Sequence, residues 1–192
     1  MLKKQCLLNN VRAVIDWFAC SPWRSFLIIF LISIAVNVHQ LNQLPRWSLI
    51  PTPDRELGAI AISFMRTGQL ADPYVIPTGP TAHLPPVIPF ILGMIYRWFG
   101  LTSTAGYVSR LFVIVNGSLL YALLPWLSEK FGTNRQAGFI GGIAGALLIE
   151  YHGHGEYLTG LIMGLLLVAF LRRWSENRTT WWGSLLLGLA IG

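Results

Sequence analysis

Charged residues and cysteines are scarce in this 192-residue chain. Charged side chains make up 11% of the sequence, whereas hydrophobic residues make up 54%. So little charge excludes an ordinary soluble domain, and the apolar stretches approach the length that crosses about 30 Å of hydrocarbon. The two cysteines, Cys6 and Cys20, both precede the first of these stretches. We expect them on the reducing side of a membrane, without a disulfide.

Acidic residues are the scarcer of the charged residues. The chain has 8 Asp and Glu against 14 Lys and Arg, which gives a formal net charge of +6. A basic protein can bind nucleic acid, but here the Lys and Arg residues lie at the ends of apolar segments and form no single stripe. That distribution is typical of membrane topology. We therefore predict no nucleic-acid partner and expect the chain to be surrounded by membrane lipids.

The apolar pattern predicts an all-α fold, a polytopic transmembrane helix bundle with a helical extracytoplasmic first loop. Residues 1–23 form a basic cytoplasmic leader that suits an interfacial helix, and residues 24–192 form the membrane domain with its loop at 45–103. The predicted spans are residues 24–44, 104–127, 136–150, 156–171 and a last segment at 181–192. An enzyme would not end within an apolar helix, so we expect this chain to be the N-terminal part of a longer protein.

The apolar stretch 87–99 decides the predicted topology. It has about thirteen residues, whereas a spanning helix needs roughly twenty. If it crossed the membrane, the basic loops after it would fall outside. If it is a re-entrant or surface helix, Lys130, Arg135 and Arg173 fall inside with the basic leader, as membrane proteins prefer. We choose the second topology, which gives a multi-pass protein of the inner (plasma) membrane with loop 45–103 outside.

The loop contains a predicted helix start at Thr52-Pro53-Asp54. Thr52 is the expected N-cap and Pro53 the first helical residue. Asp54 would then lie in the first turn, where the helix dipole favours an ionised carboxylate. Gly68 is expected to end this helix, which we expect to lie along the outer membrane surface.

The predicted topology gathers ionisable residues at the outer face. A carboxylate there can take a proton from an attacking hydroxyl, and His with Glu or Asp can hold a divalent cation. Arg can bind a phosphate through two parallel hydrogen bonds. The residues concerned are Asp54, Glu56, His83, Arg110, His152, His154 and Glu156.

Several motifs follow one another in a characteristic order. They are Asp54 after the first span, the segment Ala61–Gly68, His83-Leu84-Pro85-Pro86, Trp98-Phe99-Gly100, Arg110-Leu111 and Glu156 after the second outer loop. This order resembles that of the GT-C membrane glycosyltransferases, especially the bacterial lipid-A aminoarabinose transferases and the protein O-mannosyltransferases. The resemblance covers about residues 24–192, the N-terminal part of such enzymes. The chain departs from the family pattern at Arg55, which separates Asp54 from Glu56, and at Leu84, which occupies a usually basic position.

The resemblance implies transfer of a hexosyl or pentosyl unit from a polyprenyl-phosphate donor, with inversion, at the extracytoplasmic face. The acceptor would be a glycan, a lipid or a protein. Asp54 matches the family's essential acidic position, as base or acceptor-orienting residue, and Glu156 matches the second acidic position. His83 lies near the position that binds metal or phosphate, so a divalent metal ion on His83 and Glu56 is a further expectation.

The chemistry is coherent without the family. A lipid phosphate is a weakly basic leaving group, so its departure needs no general acid. Its developing negative charge needs a cation, which Arg110, His83, Arg66 or a metal ion would supply. A base such as Asp54 then completes the transfer.

Plainer interpretations remain open for these residues. Asp54 can be a first-turn residue that only complements the helix dipole, and Arg110 can extend to the interface without binding phosphate. A different class of function, a transporter or metal-handling membrane protein, would use the chain's four histidines. These are His39, His83, His152 and His154. A non-catalytic relative of the transferases is the third possibility.

Overall fold

The structure is a computed structural model, and it describes residues 13, 15–53, 55–74, 76–81, 84–147 and 156–175. Of this part of the chain 78% is helical, and it contains no strand. The prediction of an all-α fold is therefore confirmed. Predictions for the basic leader before residue 13 and for the apolar segment 181–192 lie outside the described residues.

The described residues form six α-helices of twelve residues or more. Their bounds are α1 (Pro22–Gln43), α2 (Glu56–Thr67), α3 (Val87–Phe99), α4 (Ser103–Lys130), α5 (Arg135–Leu147) and α6 (Glu156–Ser175). A short 3-10 helix, Arg46–Leu49, follows α1, and residues 15–19 before Pro22 are also helical. Pro22 is the first residue of α1, a position where its missing N–H costs no helical hydrogen bond.

Two of these helices have the length and composition of membrane spans. α1 has 22 residues and α4 has 28, and both have a mean hydropathy of 1.7. α3 and the apolar part of α6, Gly160–Phe170, are shorter. The two long helices point to a membrane protein, whereas the larger number of spans remains a prediction.

The predicted start of the loop helix is wrong. α2 begins at Glu56, and Arg55 before it is extended, with φ −130° and ψ 152°. Thr52 is therefore not the N-cap, and Pro53 is not the first helical residue. The Thr52 carbonyl instead packs so closely on Gly58 that a side chain there would overlap it. This contact holds the preceding segment outside the helix. The predicted end is right, because Gly68 caps α2 in the left-handed conformation, with φ 78°.

The chain divides into two compact units. The loop unit is residues 38–113, and the terminal unit is residues 1–37 together with 114–192. α1 and α4 contribute residues to both units. The predicted extracytoplasmic loop, residues 45–103, falls entirely within the loop unit.

Close packing of α5 on α4 organises the terminal unit. A Cβ on Gly142 would lie 2.8 Å from the Tyr121 carbonyl oxygen, and one on Gly138 would lie 2.7 Å from that of Leu124. These glycines therefore let the two helix backbones approach each other, as small residues do where membrane helices pack.

Buried polar side chains in the terminal unit bond within it. Asn37 is 1% exposed, and its amide donates to the carbonyl oxygens of Ser33 at 2.7 Å and Ala146 at 3.0 Å. The hydroxyls of Ser33 and Ser118 lie 2.7 Å apart. Asn37, in the first predicted span, therefore bonds to another helix, α5, through the Ala146 carbonyl.

In the loop unit, α2 packs against α3. Gly93 of α3 lies against Ala61 and Phe64 of α2, and the rings of Phe64 and Phe90 are 5.0 Å apart. Ile60 and Ala61 of α2 are buried. The bounds of α3 are those that the sequence predicts, because Pro86 and Gly100 flank a single apolar run.

Candidate functional site

Glu56 is the described acidic residue at the head of the loop helix. It lies in the first turn of α2, where the positive end of the dipole favours its ionised carboxylate. The Tyr74 side chain hydrogen-bonds to Glu56. The Glu56 charge, then desolvation and this hydrogen bond, raise the pKa of Tyr74 above 10.0. Glu56 thus takes the first-turn position that the sequence predicts for Asp54.

Asp72 folds the segment that carries Tyr74. Its Oδ1 accepts hydrogen bonds from the backbone N–H groups of Thr78 and Gly79, each at 2.9 Å. Its own N–H donates to the Gly79 carbonyl at 3.1 Å, and its φ is +57°. Ser63 of α2 donates to Oδ2 at 3.5 Å, which ties the turn to the helix. Asp72 therefore positions this turn, and Tyr74 within it, against the head of α2.

Sequence reasoning missed Asp72 and Tyr74. The signal was present, because Asp72 precedes Pro73 and the turn closes at Gly79, and Asp is the residue that accepts from its own backbone a few residues on. The partner of Tyr74 had no such local signal, since Glu56 is eighteen positions away in the sequence.

Arg110 holds the segment after α1 onto α4. Its guanidinium donates to the Ser48 carbonyl at 2.8 Å. One turn earlier, Gly106 lies so close to Leu49 that a Cβ would overlap its carbonyl, and Tyr107 donates to Asn42 at 3.0 Å. Arg110 thus has a structural contact in addition to its predicted role in binding phosphate.

Arg66, the other predicted phosphate-binding cation, lies in the last turn of α2. Its side chain is exposed, and its charge complements the negative end of the helix dipole. Glu56 and Arg66 therefore occupy opposite ends of one twelve-residue helix. Glu56, Arg66 and Arg110 all belong to the loop unit.

Four predicted residues, Asp54, His83, His152 and His154, lie outside the described residues. Glu156 is the first residue of α6, as predicted. The structure describes its backbone and not its side chain. His39 lies near the C-terminal end of α1 and is exposed.

Within the described part of the chain, no three His, Cys, Asp or Glu side chains lie close enough together to hold a metal ion. Because His83 is not in that part, the metal site on His83 and Glu56 stays a prediction.

No protein-family model, curated protein or solved structure matches this chain.

Proposed function

We propose that this protein is an integral membrane glycosyltransferase that moves a sugar from a polyprenyl-phosphate donor to an acceptor at the extracytoplasmic face. The proposal rests on the order of motifs along the sequence and on the loop unit between the two membrane-length helices. In this proposal Asp54 is the base or acceptor-orienting residue, and Glu156 is the second catalytic acid.

The observation that carries the proposal is that α3 is short and has exposed apolar residues. The helix has 13 residues, too few to span, yet it is apolar on two sides. One side packs into the loop unit through Leu92 and Gly93. The other presents Val87, Phe90 and Trp98, which are 53%, 47% and 73% exposed.

Val87, Phe90 and Trp98 share one face of α3 at helical spacing, and the exposed Arg97 lies in the last turn, as in interfacial helices. A helix of this kind lies on the membrane surface. The chain would then leave α1 and enter α4 on the same side of the membrane. This topology supports a loop unit that works in water next to lipid-linked substrates.

The described contacts suit this chemistry. The Tyr74 hydroxyl and the Glu56 carboxylate form a hydrogen-bonded pair at the head of α2, close in sequence to Asp54. A hydroxyl and a carboxylate of this kind can orient an acceptor hydroxyl for attack. Arg110, held by its bond to Ser48, offers a fixed positive charge for the phosphate that departs. A divalent metal ion on His83 and Glu56 would add to that charge.

The test uses the intact protein in membranes from expressing cells. Membranes with wild-type protein or Asp54→Asn receive polyprenyl phosphates that carry labelled hexosyl or pentosyl units, and label is followed into lipid, glycan and protein fractions. Loss of a positioned base typically lowers the rate by about 10²–10⁴. We expect a loss of this size for Asp54→Asn.

A matched control is Glu129→Gln, which removes a carboxylate at the end of α4 in the terminal unit. It should leave transfer at the wild-type rate. Normal transfer by Asp54→Asn would remove the catalytic role of Asp54. In a second arm, Asp54→Cys and Glu156→Cys are labelled with a membrane-impermeant maleimide. Labelling from opposite sides of the membrane would end the proposal.

A further inference from the structure

An apolar groove of about 410 Å³ runs between α1, α4 and α6 in the terminal unit. Every side chain that lines it is apolar, including Phe26 of α1, Leu123 of α4 and Leu165 of α6. Apart from the indole N–H groups of Trp23 and Trp126, no lining side chain offers a hydrogen-bonding group. The groove can hold a hydrocarbon chain.

Two tryptophans line the groove where the helices end. Trp23 is the second residue of α1 and is 73% exposed, and Trp126 lies four residues before the last residue of α4. Both line the groove. Trp is enriched at the level of lipid headgroups, so this end of the groove would face a membrane–water interface.

The same end of these helices is basic. Arg24, next to Trp23, and Lys130, the last residue of α4, are both exposed. The neighbouring acid, Glu129, is ion-paired with Arg135, which offsets its charge. Basic sites between helix ends on the cytoplasmic side of a membrane bind anionic lipid headgroups.

We propose that this groove binds one acyl chain of an anionic phospholipid from the inner leaflet, with its headgroup near Arg24 and Lys130. The inference rests on the membrane location and orientation proposed above and not on sugar transfer. Basic ends of membrane helices lie inside, whereas the proposed transfer occurs outside. A phospholipid of the inner leaflet therefore fits the groove better than the sugar donor does.

The test counts lipids that remain on the protein. The chain is purified in mild detergent from cell membranes, and bound molecules are identified by native mass spectrometry without any sugar donor. Leu165→Trp fills the groove. The Trp side chain would displace methylenes of the acyl chain from the groove, and each displaced methylene lowers the affinity by a factor of about four. We therefore expect phospholipid occupancy to fall at least tenfold.

Leu167→Trp is the matched control. Leu167 lies on the same helix and is 39% exposed, against 44% for Leu165, but it does not line the groove. It should keep wild-type occupancy. Leu123→Trp fills the groove from α4 and gives a second measurement if Leu165→Trp does not fold. Arg24→Gln and Lys130→Gln should each lower the preference for phosphatidylglycerol over phosphatidylcholine by about fivefold.

Three results would overturn the proposal. These are wild-type protein without bound phospholipid, a bound polyprenyl phosphate in its place, and equal occupancy in the Leu165 and Leu167 variants. The second result would assign the groove to the donor, and the first would fit a groove covered by another segment of the protein. A failure of sugar transfer leaves this measurement unchanged, so the two proposals fail separately.

Discussion

The buried polar side chains of the terminal unit and the side chains that hold the loop backbone in the loop unit have different partners. In the terminal unit, Asn37 and Ser33 bond across helices, to the Ala146 carbonyl and to Ser118. In the loop unit, Asp72 and Arg110 bond to backbone outside the α-helices. Helices satisfy their own backbone groups, as a membrane requires, whereas an irregular loop needs side chains to do so.

This difference gives each unit its own weakness. In the terminal unit the backbones of α4 and α5 meet at glycines, so added volume should be the damaging change. In the loop unit a few side-chain hydrogen bonds hold the turns and the first turn of α2, so removal of a hydrogen-bonding group should matter most. Three substitutions test this comparison, from the largest expected effect to the smallest.

The largest effect is expected from Gly142→Leu. The new side chain would clash with the Tyr121 carbonyl oxygen and with the Ile29 side chain. A Cβ alone would already lie 2.8 Å from that oxygen. Overpacking of this kind costs about 3 kcal/mol of folding free energy. Denaturant titration of the protein in detergent, followed by circular dichroism, measures the loss.

The control for Gly142→Leu is its neighbour, Gly141→Leu. A Cβ on Gly141 meets nothing within 4 Å, so this variant should gain up to about 1 kcal/mol from helix propensity. Equal stability of the two variants would contradict the close approach of α5 to α4.

A smaller and local effect is expected from Asp72→Ala. It removes the acceptor of two backbone N–H groups and places Ala at φ +57°. Hydrogen bonds to a charged group contribute about 1.5–3 kcal/mol, so the amides of Thr78 and Gly79 should exchange with deuterium at least tenfold faster. Asp72→Asn keeps the acceptor oxygen and tolerates the left-handed conformation, so its exchange should stay near that of the wild type.

Faster exchange in Asp72→Asn, at the rate of Asp72→Ala, would show that charge and not the acceptor geometry holds this turn. Unchanged exchange in both variants would remove Asp72 as the residue that forms it.

The smallest effect is expected at Tyr74. The Glu56 carboxylate raises the pKa of this tyrosine, chiefly by charge repulsion with the ionised phenol. A group whose pKa is raised on folding stabilises the fold below its unfolded pKa, and this stabilisation is lost as pH rises through the folded value. For Tyr74 the loss therefore begins above about pH 10.

Glu56→Gln should lower the pKa of Tyr74 towards 10.0. Ultraviolet titration of tyrosinate, with Tyr74→Phe to assign the signal, measures this shift. An unchanged titration in Glu56→Gln would mean that Glu56 and Tyr74 do not interact.

Some elements of this fold follow directly from local sequence. Pro86 before and Gly100 after one apolar run give the bounds of α3, and Gly68 ends α2. The start of α2 does not follow in this way. Thr52 and Pro53 have good capping propensity, but the packing of the Thr52 carbonyl on Gly58 outweighs it. The candidate site was predictable to the same extent: the sequence indicates the loop and its acids, but not the pairing of Glu56 with Tyr74.

The sequence by itself determined the helical class, the membrane-length helices, the short α3 and the glycines that let α5 approach α4. These features depend on the spacing of apolar residues and on the positions of Pro and Gly, which act on the backbone within a few residues. Only the tertiary structure decided that Asn37 bonds to Ala146, 109 positions away, and that Asp72 and Arg110 hold the loop backbone. Such contacts depend on which segments meet after folding, and local residue preferences do not specify them.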